Sequence, residues 1–242
     1  MTQLLISVKN VQEALLALHA GADVIDLKDP DIGALGALDV ETTAQIVQTI
    51  DGRVIVSATV GEDHASINAL CQRIQARADS GVDIIKIAVS DIGYEDDFFG
   101  ELRKLTSDGI KIVAVFFGDE KINFALLPSL RLAGFYGAML DTKNKQKTLL
   151  ACQLKENIHH FVAECSKNGL ISGLAGSLKA QHIDCLMPFK PTFIGMRGGV
   201  CENNMRKSHL NSAKIQETKN MLLKHNILAG KRLNILRSTL HS

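Results

Sequence analysis

The sequence predicts a single (β/α)8 TIM barrel of the α/β class, and three observations predict it. Eight short, β-branched apolar runs alternate with amphipathic stretches along the chain. Glycines stand between a helical pattern and the next apolar run at Gly21, Gly52, Gly81, Gly109, Gly134 and Gly169, where a helix stop favours a residue without a Cβ. The 242 residues are close to the ~250 of a lone barrel of this kind. Closure is inferred from the count of eight, and a doubly wound open sheet is the alternative.

The first strand is read at Leu4–Val8, the second at Asp23–Lys28, the third at Val54–Val60 and the fourth at Asp83–Val89. The fifth is Lys111–Phe117, the sixth Gly137–Asp141, the seventh Leu170–Leu174 and the eighth Thr192–Met196. Several are apolar at consecutive positions, as suits parallel strands covered on both faces. Helical patterns lie between them: Val11–His19, with Val11, Leu15 and Leu18 on one face, then Ile67–Ala78 and Leu149–Cys165. Residues 1–225 are assigned to the barrel. Residues 226–242 are assigned to a C-terminal extension that is a short helix, an oligomer contact or a frayed tail.

Hydrophobic residues make up 46% of the chain, enough for a sizeable core. The net charge of +1 is spread along the chain, which argues against nucleic acid or an anionic membrane as the main partner. No apolar run approaches the ~20 residues of a membrane span. The first residues lack a basic segment and a long apolar one, so no signal peptide is expected. The five cysteines, Cys71, Cys152, Cys165, Cys185 and Cys201, form no CxxC pair. They read as free thiols in a reducing cytoplasm. The histidines, among them His19, His64, His159, His160, His182 and His209, show no metal-ligand spacing. No metal and no cofactor are expected.

A barrel of this type carries its active site at the C-terminal ends of the strands. Strand two ends Asp26-Leu27-Lys28. With a strand period of two, Asp26 and Lys28 share a side. If that side is the interior, a carboxylate and an amine meet at the mouth; a plain ion pair is the structural alternative. Strand four carries Lys86 between apolar neighbours, where a surface lysine rarely sits. Two desolvated lysines facing a common pocket lower each other's pKa, and a neutral amine attacks a carbonyl or takes a proton. Alternatively Lys86 extends to the rim. Strand six ends in Asp141, with Lys143, Lys145 and Lys147 in the loop beyond, of which Lys145 is the candidate to return toward the site. Lys121, after strand five, is a weaker candidate.

Glycine-rich turns follow strands seven and eight: Gly173-Leu174-Ala175-Gly176-Ser177 and Arg197-Gly198-Gly199. Loops at these strands commonly hold a phosphate through backbone N–H groups. Gly173, Ala175, Gly176, Ser177, Gly198 and Gly199 are therefore phosphate-binding candidates, with Arg197 as a charged fork. The expected substrate is a small phosphorylated carbonyl compound, and a homo-oligomer is expected. The run Asp26-x-Lys28-x-x-Asp31 also matches a pattern of the orotidine-phosphate decarboxylase and hexulose-phosphate synthase group. There it follows the third strand; here it follows the second.

As a set, several segments resemble the (5-formylfuran-3-yl)methyl phosphate synthase family, over roughly residues 4 to 207. They are Leu4 to Lys9, Gly21 to Lys28, Gly33 to Ala37, Val56 to Gly61, Ile85-Lys86, Met139 to Thr142, Gly173 to Ser177 and Gly195 to Cys201. The resemblance implies a (β/α)8 lyase. That lyase joins two molecules of a small phosphorylated aldehyde, glyceraldehyde 3-phosphate, with loss of phosphate and water, for methanofuran-type cofactors or one-carbon oxidation. It implies Lys28 as Schiff-base lysine and Lys86 as proton acceptor, with Asp26, Asp141 and Lys145 beside them. Phe116-Phe117-Gly118 departs from the archaeal pattern, so no role passes to Lys121. Another Schiff-base phosphosugar aldolase and a non-catalytic phosphate-ligand sensor are the competing readings.

Overall fold

A computed structural model describes residues 1–62, 66–89 and 98–239, with 231–239 described by their backbone only. His64 and residues 240–242 lie outside the described residues. The strands are β1 Gln3–Val8, β2 Val24–Leu27, β3 Ile55–Thr59, β4 Ile84–Ala88, β5 Ile112–Phe117, β6 Gly137–Asp141, β7 Ile171–Leu174 and β8 Phe193–Met196. All pair in parallel in sequence order, and β8 returns to β1, so the barrel is closed. The open-sheet alternative is thereby removed. Among the described residues the helices are α1 Val11–His19, α2 Val40–Ile50, α3 Ile67–Asp79, α4 Phe98–Ser107, α5 Leu126–Leu132, α6 Leu149–Cys152, α7 Lys155–Lys167, α8 Ile183–Leu186 and α9 Ser212–Thr239. None is long and apolar enough to cross a membrane.

The six glycines read as helix stops all have positive φ, from 67° at Gly52 to 95° at Gly21. Each strand feeds two cores. Outward residues such as Leu4, Ile25, Ile85 and Leu140 pack under the helices. Inward residues such as Leu5, Val24, Ile84, Val113, Met139 and Phe193 fill the barrel. This two-sided burial is why the strands read as continuous apolar runs.

Two helices differ from expectation. In α1 the inner face is Ala14 and Ala17 with Glu13, while Val11, Leu15 and Leu18 are only half-buried. The small alanines let the helix lie close to the barrel, and Glu13 is drawn in by an arginine described below. The run Leu149–Cys165 is broken into α6 and α7, because Gln153 and Leu154 are extended. The Gln153 amide donates to the Gly118 carbonyl at 2.7 Å, tying the break to the end of β5. Helix α9 passes through residue 226 without interruption. Asn226 accepts from Thr2 N (3.0 Å) and donates to Thr2 O (2.9 Å), which anchors the helix to the start of β1. Beyond it Ile227 and Leu228 are exposed.

Candidate active site

Strand register assembles the site row by row. Ser7 on β1 stands opposite Asp26 on β2, and Asp26 opposite Ser57 on β3. Both hydroxyls donate to the Asp26 carboxylate, Ser7 Oγ at 2.9 Å and Ser57 Oγ at 2.7 Å. Lys86, on β4, completes this cluster with its Nζ 2.5 Å from Asp26 Oδ1. Its side chain is 4% exposed, so it is an interior residue and does not extend to the rim. Burial pushes the Lys86 ammonium below the ordinary lysine range; Asp26 opposes this and Lys28 adds to it. Burial alone would raise the Asp26 pKa, but Lys86, Lys28 and the hydroxyls outweigh it and hold the carboxyl below its usual range.

A second cluster lies at the ends of β2 and β6. Lys28 Nζ donates to Asp141 Oδ2 at 2.9 Å. Lys145 reaches back from the loop to the other oxygen, at 2.6 Å. The Thr142 N–H also donates to Asp141 Oδ1 (2.8 Å). Burial would raise the Asp141 pKa, but the two ammonium groups overcome it and hold it well below the usual carboxylate range. Burial lowers Lys145 to about 8, against the pull of Asp141 and with the help of Lys28. The other loop lysines stay outside. Lys121 and Lys147 are exposed, and Lys143 pairs with Glu120 at 3.3 Å. So Asp26 and Lys28 are not partners of one another; each pairs with a residue from a different strand.

Both clusters open into a cavity of about 290 Å³ at the C-terminal ends of the strands. Leu5 and Met139 line its apolar base. Ala175, Gly176, Ser177, Gly198 and Gly199 line its far wall, so the turns after β7 and β8 do meet there. Gly173 does not line this cavity. It lies one layer deeper, where a Cβ would come within 2.8 Å of Met139 Cγ. Its place is explained by the Met139 side chain crossing the barrel. Ser177 holds a left-handed φ of 50°, and its hydroxyl donates to the Lys145 carbonyl (2.8 Å). A β-carbon on Gly199 would overlap the Leu178 carbonyl, so the two turns pack backbone to backbone. Gly199→Ala is expected to lower stability by about 1–3 kcal/mol, checked as a lower urea midpoint at unchanged slope.

Arg197 lines the cavity, but its fork does not face an anion there. Its Nη1 and Nη2 hold Glu13 of α1 in a two-point pair at 2.7 and 3.1 Å. Nη1 also donates to Ser7 O (2.9 Å) and Nε to Arg206 O (2.7 Å). The sequence reading missed Glu13, because an acid in a helix pattern reads as a solvent-facing residue. It also missed Ser7 and Ser57. The signal for both was present: a small polar residue at an inward, period-two position of an otherwise apolar strand.

The fold and site define a closed (β/α)8 barrel of the enzyme type, with paired amines and carboxylates buried at its strand ends and lining one cavity. The family model for 4-HFC-P synthase matches residues 4–219, and the chain belongs to that family. It is 33% identical over 219 residues to the (5-formylfuran-3-yl)methyl phosphate synthase of Methanocaldococcus jannaschii, covering 85% of this chain and 92% of that one. It is 39% identical over 216 residues to a Methylorubrum extorquens protein provisionally given the same name, covering 89% of each. Among solved structures, 3-hexulose-6-phosphate synthase from Salmonella typhimurium matches with a TM-score of 0.68 at 13% identity, over 93% of this chain and 100% of that one. At that identity the likeness is one of fold.

Proposed function

We propose that the chain is a (5-formylfuran-3-yl)methyl phosphate synthase of methanofuran-type cofactor biosynthesis. It joins two molecules of glyceraldehyde 3-phosphate and releases phosphate and water, a phosphate-eliminating carbon–oxygen lyase. The observation that carries this reading is the pair of buried lysines, Lys28 and Lys86, each on its own aspartate and both open to one cavity. The Lys28 amine adds to the aldehyde carbon of one triose phosphate and expels water, leaving an iminium. The iminium withdraws electrons from the adjacent carbon, so a base removes a proton there to give an enamine. Lys86, whose burial favours the neutral amine, is that base, and Asp26 orients it. The enamine carbon then bonds to the aldehyde carbon of the second triose. Ring closure, dehydration and loss of one phosphate complete the furan, and water hydrolyses the bond to Lys28, freeing the product aldehyde and the amine.

Lys28 must be neutral when it attacks, and Lys145 shares its carboxylate partner. The free-amine fraction of Lys145 grows as pH rises through about 8. With Lys145 as proton acceptor, kcat/KM is expected to rise through about pH 8 and level off above it. That limb should be lost in Lys145→Gln, as read from a pH–rate profile. The activity itself is tested with glyceraldehyde 3-phosphate as sole substrate, followed by product mass, near-ultraviolet absorbance and released phosphate. An aldol product with no furan absorbance would reassign the chain to another Schiff-base aldolase. Binding without turnover would make it a sensor.

A further inference from the structure

Six cationic residues line the cavity against two acidic ones. Four of the six have a carboxylate at ion-pair distance. Lys86 pairs with Asp26, Lys28 and Lys145 share Asp141, and Arg197 pairs with Glu13 from behind the wall. Lys179 and Arg206 remain, with no carboxylate at ion-pair distance among the described residues. Cations left unneutralised at a partly desolvated mouth are unfavourable unless an anion joins them.

Both are delivered by built structure. Lys179 follows the turn that holds Ser177 in its left-handed conformation, and its backbone packs on Gly199. Arg206 comes from the segment after β8, which folds back through the Cys201–Leu210 bridge. Lys214 fixes that segment by donating to Cys201 O (2.9 Å) and Asn204 Oδ1 (3.0 Å). Arg197 Nε grips the Arg206 carbonyl itself (2.7 Å). Among the described residues the Arg206 guanidinium makes one bond, from Nη2 to Gly33 O at 2.9 Å, which steadies it and leaves other N–H donors for a ligand.

We infer that Arg206 and Lys179 are the side-chain ligands of the substrate's phosphate groups, and that Arg197, braced by Glu13, is a positioning residue that sets Arg206 in place. The inference rests on the proposed phosphorylated substrate and assigns to Arg206 the part that Arg197 was expected to play. Two triose phosphates bring more than one dianion, which matches a cavity left with more than one unneutralised cation.

The test titrates the whole protein with inorganic phosphate by calorimetry. Arg206→Gln and Lys179→Gln should each weaken phosphate binding roughly ten- to hundredfold, as expected for loss of a charged hydrogen bond, and Arg206→Lys should restore part of it. If Arg197 acts only through Arg206, Arg197→Lys weakens binding on its own, yet adds nothing to Arg206→Gln in the double variant. Borohydride trapping of unphosphorylated glyceraldehyde on Lys28 of the wild type reads the Schiff-base chemistry separately from phosphate binding. Phosphate affinities within about twofold of wild type in both single variants, additive effects of Arg197 and Arg206, or no phosphate binding by the wild type would each overturn the assignment. If wild-type protein traps neither aldehyde, the Schiff-base reading fails, and the phosphate titration still decides this one.

Discussion

Lys28→Met is expected to reduce turnover of glyceraldehyde 3-phosphate by at least about 10⁴-fold, the scale seen when a covalent nucleophile is removed. Borohydride added during turnover should trap the triose on Lys28 of the wild type, located by peptide mass, and leave no adduct in the variant. Among the described residues the site offers no equivalent amine. Lys86 is bound to Asp26 deeper in the barrel, and Lys145 approaches Asp141 from the opposite oxygen. The loss should be chemical and not structural. With Lys28 gone, Asp141 keeps its bonds from Lys145 and the Thr142 N–H, so no buried charge is left alone. The methionine chain occupies the space of the lysine stem, and unfolding midpoints should stay close to wild type. An adduct forming at the wild-type rate in Lys28→Met, on Lys145 or elsewhere, would remove Lys28 from the covalent role.

The strands were legible because a parallel barrel buries both faces, which writes eight apolar runs into the sequence. The glycines marked the helix ends because six of them hold positive φ. Lys28, Lys86 and Asp141 were legible for the opposite reason: they interrupt that apolar pattern at strand ends, where burial of a charge needs a use. Pairing was not legible. The shared side of Asp26 and Lys28 suggested one pair, whereas the stagger between strands sends Asp26 to Lys86 and Lys28 to Asp141. Arg197 beside two glycines looked like an anion fork, and nothing local reveals that Glu13, 184 positions away, occupies it. Arg206 lies in a polar stretch with no periodicity, and only the folding back of that segment after β8 brings it to the mouth. The break at Gln153 was equally hidden, because its cause is a carbonyl in another loop.

Asp26 and Lys86 allow the stability of the site to be separated from its chemistry. Asp26→Leu leaves the Lys86 ammonium buried without its partner, and the loss of stability should be about 3–5 kcal/mol by urea unfolding. Lys86→Met should be milder, because Asp26 retains the Ser7 and Ser57 hydroxyls and the nearby charge of Lys28. The double variant Asp26→Leu/Lys86→Met removes both charges from an interior otherwise filled by apolar residues. Since well-packed apolar groups commonly replace a buried ion pair without loss, it should recover most of the stability that Asp26→Leu loses. It should recover none of the activity. In Lys86→Met and in the double variant, borohydride should still trap the triose on Lys28, because Lys28 belongs to the other cluster, on Asp141. Exchange of the hydrogen next to the aldehyde with deuterated solvent should fall by roughly 10²–10⁴-fold, as expected for loss of a positioned base. Wild-type exchange in Lys86→Met would assign proton removal to another group. A double variant as unstable as Asp26→Leu would mean the pair holds the barrel together as well as serving its chemistry. With exchange lost and stability recovered, the ion pair is retained for proton transfer, at some expense to the core that surrounds it.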